Sequence, residues 1–189
     1  MKALLRICMV CVCVSFAGIA SAQAITATAL QHLLQDAPQR DARFTETRES
    51  PWLQAPVEAS GTMTSTAAAL EKRVEHPRRE TWRIMPDRME LVAADGARKE
   101  FRFDQVPAIA ALANATRHVM AGDLQALQKD FRVTLNGDER EWTVQLKPRD
   151  PEVTRYLKQL ELQGSRGRLQ VIIIEESRGD RTTTRLAYE

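Results

Sequence analysis

Short stretches alternate apolar and polar side chains along most of this chain, and each is closed by a turn signal. Arg88–Ala93 puts Met89 and Leu91 on one face, and Asp95-Gly96 then forms a strong hairpin turn. Arg98–Asp104 follows, with Phe101 and Phe103 on one face and Glu100 and Arg102 on the other. A period of two is the signature of a half-buried strand. The same reading covers Arg43–Ser50, the Thr-rich and Ser-rich Val57–Thr66, Leu70–His76 and Arg79–Met85, where Trp82 and Ile84 alternate with Thr81 and Arg83. It resumes in Phe131, Val133 and Leu135 up to Asn136-Gly137-Asp138, and in Trp142, Val144 and Leu146 beyond it. Arg168–Glu175 is apolar on both faces through Val171-Ile172-Ile173-Ile174, as in a central strand covered on both sides. Arg181–Tyr188 is the last strand. Val153–Leu162 reads as a helical turn followed by a strand, with Tyr156, Leu160 and Leu162 on one face. Successive hairpins make the sheet antiparallel.

Helical spacing occurs in two places. Leu30, Leu33, Leu34 and Ala37 form one stripe in Ile25–Ala37, with Thr26 or Thr28 as cap and Pro38 as terminator. Pro107 suits the first turn of a second helix. Its stripe is Ile109, Leu112, Ala113, Thr116, Val119 and Met120, and Gly122 ends it. Asp123 can cap a short helix after it. No linker or internal repeat divides the chain, so one domain is expected.

The amino terminus is an address. Lys2 and Arg6 precede an apolar run, Ile7 to Ala20, and Ala20-Ser21-Ala22 offers small residues to a signal peptidase. The run is short for a membrane span of about 20 residues; an uncleaved anchor is the alternative. Residues 1–22 are therefore expected to be a signal peptide and 23–189 the exported domain. Removing 22 residues from 189 leaves 167 and takes away all three Cys with Lys2 and Arg6. The exported chain then holds 25 positive and 25 negative charges and no thiol. A neutral chain with 5% aromatic residues lacks the footprint of a nucleic-acid binder.

Catalytic constellations are missing from the sequence. His32, His76 and His118 are scattered, so no metal set is expected. There is no Gly-x-Ser-x-Gly turn and no Gly-rich phosphate loop. The carboxylate pairs Glu139/Glu141 and Glu175/Glu176 fall at turns and strand ends, where charge is ordinarily solvated. No catalytic residue and no cofactor are expected.

One long curved sheet with helices at two places suggests a sheet covered by helices on its concave face. That face would present Trp82, Ile84, Met89, Leu91, Phe101, Phe103, Trp142, Val144 and Leu146, with Ile109, Leu112, Val119 and Met120 facing them from the second helix. A tight fit makes these residues a core. A loose one makes an apolar cavity for acyl chains, each buried methylene contributing about 0.8 kcal/mol. Periodicity does not separate the two.

Several runs in order resemble the outer-membrane lipoprotein carrier (LolA-like) family of the bacterial periplasm. They are Phe44-Thr45-Glu46, Leu70-Glu71-Lys72-Arg73-Val74-Glu75-His76-Pro77, Thr81-Trp82, Val92-Ala93-Ala94-Asp95-Gly96, Phe131-Arg132-Val133 with Asn136-Gly137-Asp138, Trp142 to Lys147-Pro148, and Thr184-Arg185-Leu186. The resemblance covers most of residues 25–189. It implies a mainly β fold, a half-open barrel of about eleven antiparallel strands with a helical lid on its concave face. It also implies a monomeric periplasmic carrier of lipoprotein or lipid acyl chains, passing between an inner-membrane donor complex and an outer-membrane acceptor. Related half-barrels serve as lipid-sensing regulators, which is the alternative. In the family a basic residue before the proline closes the lid and an aromatic residue follows it. Here His76 and Glu80 take those places, which makes His76 and Arg79 the latch candidates. The departure resembles divergent members associated with clusters that make aryl-polyene or other fatty-acid-derived lipids.

Overall fold

The computed structural model describes residues 24–37, 41–66 and 69–188. The signal read in residues 1–22 and the terminator Pro38 lie outside them. Helix α1 (Ala27–Asp36) precedes six strands: β1 (Asp41–Glu49), β2 (Val57–Ser65), β3 (Leu70–His76), β4 (Glu80–Ile84), β5 (Arg88–Ala93) and β6 (Arg98–Arg102). Helices α2 (Pro107–Met120) and α3 (Leu124–Asp130) follow. Then come β7 (Phe131–Gly137), β8 (Trp142–Pro148), the single turn α4 (Pro151–Thr154), β9 (Leu157–Ser165), β10 (Arg168–Glu176) and β11 (Arg181–Ala187).

All eleven strands join one antiparallel sheet in the order β6-β5-β4-β3-β2-β1-β11-β10-β9-β8-β7. The expected mainly β architecture, a curved open sheet with helices, is the one observed. Strands β6 and β7 are consecutive in sequence yet form the two edges. The chain between them therefore has to cross the width of the sheet, and α2 and α3 are that crossing. The central pairing joins the first strand to the last, with Phe44 opposite Leu186 and Glu46 opposite Thr184.

Each helix begins where local chemistry allows. Thr26 caps α1 by accepting from the Ala29 N–H at 3.1 Å. Pro107 opens α2 behind Val106, which gives no side-chain cap. Gly122, with φ +69°, lets the chain leave α2, and Asp123 caps α3 by accepting from the Ala126 N–H at 3.2 Å. The doubly apolar strand is β10, with Ile172 and Ile173 on opposite faces and both buried. Tyr156 departs from expectation: it precedes β9 and stands exposed, because the turn of α4 is still unwinding there.

Bulges accompany the bend of the sheet. The β2–β3 register shifts between Ser60 and Gly61, and the β9–β10 register shifts between Leu169 and Val171. Glycine is required beside both. A β-carbon on Gly61 would run into the Arg73 carbonyl, and one on Gly164 would run into the Trp142 ring and the Arg168 carbonyl. Trp142 is fully buried and donates its indole N–H to the Arg166 carbonyl at 2.7 Å. Around it lies the packed core, including Leu30, Leu34, Leu127, Phe131, Leu146, Leu160, Leu162 and Leu169. Gly164→Ala therefore overpacks this core. It should lower unfolding free energy by about 1–3 kcal/mol in urea titration, whereas Gly96→Ala, with open space but φ +83°, should cost only the left-handed backbone strain of about 1 kcal/mol.

Candidate functional site

Burial is uneven along the inner face. On β8, β9 and β10 it is closed: Trp142, Val144, Leu146, Leu160, Leu162 and Ile172 are all buried. On β4, β5 and β6 it is not. Trp82, Ile84, Met89, Leu91 and Phe101 are each only half-buried, although register holds them on one face. Trp82 stands opposite Leu91, Ile84 opposite Met89, and Met89 opposite Phe101. Trp82 stacks on Phe101 with ring centroids 6.3 Å apart and donates its N–H to Glu80 at 2.8 Å.

Helix α2 shows the same division along its own length. Its carboxyl-terminal half is packed, with Ala115, Thr116, Val119 and Met120 buried. In its amino-terminal half Ala111 and Ala113 are buried, but Ile109 is exposed and Leu112 half-buried. Beneath that half lies an apolar cleft of about 410 Å³ lined by Val106, Pro107, Ile109, Leu112, Leu157 and Ile174, with Gln105, Glu176 and Tyr156 also at its wall. This volume lies within the roughly 300–1,000 Å³ of small-molecule pockets. A second cleft, about 460 Å³ and more polar, lies on the other side of α2 between Phe103, Ala111, Asn114, Arg149 and Val153.

The expected cavity residues therefore divide. Ile109 and Leu112 line the apolar cleft, and Phe103 lines the polar one. Trp82, Ile84, Met89, Leu91 and Phe101 form a half-open apolar wall. Trp142, Val144, Leu146, Val119 and Met120 are buried in the core cluster with residues of α1 and α3 and line neither cleft. The latch candidates His76 and Arg79 are exposed at the β3–β4 turn. They share a cleft with Glu75, Glu80 and Val92, and among the described residues no hydrogen bond or ion pair carries them to α2. Leu157, Ile174, Val106 and Tyr156 were missed. Ile174 had a signal in the doubly apolar run; for the others only the position of α2 over β9 and β10 reveals the wall.

Polar chemistry on the inner face concentrates at its centre. The Lys72 ammonium donates to Glu46 Oε2 at 2.6 Å, and Thr184 Oγ1 donates to the same oxygen at 2.6 Å. Lys72 also lies 4.8 Å from the centroid of the Phe44 ring. Both charged side chains are only 20% exposed, so each depends on the other for its lost hydration. This pair ties β3 to β1 and β11, where the half-open and closed halves of the sheet meet. A separate network holds one rim. Ser50 and Arg48 donate to the Asp180 carboxylate at 2.6 and 2.5 Å and hold it below the usual carboxylate range. On helix α2, burial pushes the His118 imidazole down, with Arg117 adding to the effect.

Among the described residues no group of three or more His, Cys, Asp or Glu could hold a metal, and no helix is long and apolar enough to cross a membrane. The family model described as outer membrane lipoprotein carrier protein LolA-like matches residues 19–188. No curated protein matches in sequence. Among solved structures, a LolA superfamily protein from Nitrosomonas europaea is similar at 12% identity and TM-score 0.44, over 87% of this chain and 92% of that one. A putative outer membrane lipoprotein-sorting protein domain from Vibrio parahaemolyticus is similar at 9% identity and TM-score 0.40, over 86% and 92%. MucB is similar at 16% identity and TM-score 0.44, over 85% of this chain and 58% of its own.

Two measurements test the polar groups. Lys72→Met leaves Glu46 charged without its partner and should cost about 2–4 kcal/mol in urea titration, while Lys72→Met with Glu46→Leu should recover most of that loss. The Asp180 carboxyl binds its proton less readily folded than unfolded. Its contribution is thus complete above the ordinary value near 3.8 and is lost as pH falls through the lower folded value. Asp180→Asn should flatten the decline of stability measured from about pH 5 towards pH 2.

Proposed function

From a chain that belongs to the outer membrane lipoprotein carrier protein LolA-like family, we propose a periplasmic carrier that shields acyl chains of a lipoprotein or lipid and shuttles them from the inner to the outer membrane. Residues 1–22 serve as its export signal and residues 23–189 as the carrier domain. An inner-membrane donor complex supplies the cargo and an outer-membrane acceptor receives it. The protein acts as a monomer, without a cofactor and without a chemical step.

The observation that carries this reading is an open apolar cleft at the start of α2, where Ile109 stands exposed and Leu112, packed on its other side against the core, turns part of its surface to the opening. Large aliphatic side chains that could close a core instead line space open to solvent. A hydrocarbon chain entering it gains about 0.8 kcal/mol for each methylene removed from water. The half-buried wall of Trp82, Met89, Leu91 and Phe101 offers further apolar surface to a longer or second chain. Access is set in this reading by the mouth at the start of α2. His76 and Arg79 do not line that mouth, so closing it in this reading does not require them.

The carrier reading expects lipid to copurify from the periplasm, visible by native mass spectrometry as a mass above that of the polypeptide. Ile109→Asp, at the exposed lining, should reduce uptake of a fluorescent fatty-acid probe by roughly tenfold or more while changing stability by about 1 kcal/mol or less. Met120→Asp, in solid core, should instead destabilise by about 3 kcal/mol or more. Equal losses of uptake and stability at Ile109 would identify the helix as ordinary core and end the carrier reading.

A further inference from the structure

Five large apolar side chains are exposed among the described residues: Trp52, Leu53, Val57, Ile109 and Tyr156. Scattered exposed apolar residues are normal, but these five gather at one end of the molecule. Trp52 and Leu53 sit in the loop between β1 and β2, and Val57 begins β2. The β10–β11 turn lies against that loop, since a β-carbon on Gly179 would be 3.2 Å from the Pro51 ring. The same turn reaches Tyr156, whose carbonyl accepts from the Ser177 N–H at 2.8 Å. Tyr156 and Ile109 then line the mouth of the apolar cleft together. Exposed apolar side chains thus flank the polar β10–β11 turn, with Trp52 and Leu53 on one side of it and the cleft opening at Tyr156 and Ile109 on the other, and together they form a rim at this end.

The Trp52 end of this rim is held in place. Trp52 N–H donates to Ser50 Oγ at 3.3 Å, and Leu53 N–H donates to the Ser50 carbonyl at 3.1 Å. Ser50 is itself bound to Asp180, which Arg48 also holds. A Trp ring 83% exposed is therefore presented by a braced turn. Trp and Tyr, each with an apolar body and a polar tip, favour the interface between water and lipid.

Most charge at this end is paired within it, and the exposed Arg178 of the β10–β11 turn is offset in sign by Glu49 and Glu58 at the ends of β1 and β2. Arg48 lies against Asp180 and Glu176, Arg155 against Glu152, and Lys158 and Arg181 against Glu175. No surplus of cations is built to draw the rim to an anionic surface, so its match is a surface without net charge.

We propose that this rim seats the protein on a bilayer of zwitterionic phospholipid, with Trp52, Leu53 and Tyr156 entering the headgroup layer and the cleft mouth facing the lipid. The purpose of the seat rests on the carrier reading, since a mouth held at the bilayer lets an acyl chain pass without crossing water. Its geometry does not depend on that reading.

Co-flotation of the purified protein with phosphatidylcholine vesicles tests the seat. The wild type should float with the vesicles, and binding should change less than about twofold between about 0.1 and 0.5 M salt, because screening weakens only charge attraction. Trp52→Ser with Leu53→Ser should reduce binding by roughly tenfold or more. These residues do not line the cleft, so the same variant should keep its thermal midpoint and its uptake of a fatty-acid probe in solution. Failure of the wild type to float, equal flotation of the variant, or binding confined to anionic vesicles at low salt would each overturn the seat. Flotation of a wild type that takes up no probe would leave the seat standing and sink the carrier reading alone.

Discussion

The sheet has two edges, and one stretch of chain must join them. Strand β6 ends at Arg102 on one edge and β7 begins at Phe131 on the other. An antiparallel meander would place such strands side by side. Here the first strand pairs with the last, so the middle of the chain is left to cross the whole sheet. A peptide crossing an apolar face must satisfy its own backbone hydrogen bonds, and helices do so internally. The lid is thus a consequence of strand order.

What the crossing covers determines where apolar surface stays accessible. Packing around Trp142, over β8 and the adjoining parts of β9 and β10, is complete because α1, α3 and the end of α2 converge there. Helix α2 is rich in alanine, and Ala111, Ala113 and Ala115 let it approach its neighbours closely. Of its two large early residues, Leu112 is only partly covered by the core and Ile109 is exposed. The cleft lies where bulky aliphatic residues on α2 face β9 and β10 without an intervening layer. Between this region and the half-open wall stands the Lys72–Glu46–Thr184 cluster, a polar seam on an otherwise apolar face. It links three strands at the point where the closed half gives way to the open one.

Much of the fold was legible because its signals are local. Alternation marked the faces of β5 and β6 through Met89, Leu91 and Phe101, and Asp95-Gly96 marked the hairpin between them. Pro107, Gly122 and Asp123 punctuated the helices where they do begin and end. The site was only partly legible, since alternation records which side chains share a face and nothing about what stands opposite. Trp142 and Trp82 carry the same pattern on their strands; one is sealed and the other half-open. Tyr156 was assigned to a strand face because a four-residue helical turn is too short to show a period. His76 and Arg79 drew attention through their places around Pro77, and they line a cleft at the β3–β4 turn separate from the one beneath α2.

By itself the sequence determined the strands, their inner faces and the two places where helices interrupt them, because period and turn chemistry act over a few residues. It also determined the charge balance and the absence of a nucleophile or metal motif, which depend on residue identity alone. Tertiary structure alone decided which apolar face is filled and which is left open, and which loops share an end. Those outcomes depend on distances between residues far apart in the chain, such as Ile109 and Ile174 or Ser50 and Asp180, and no local pattern encodes such a distance.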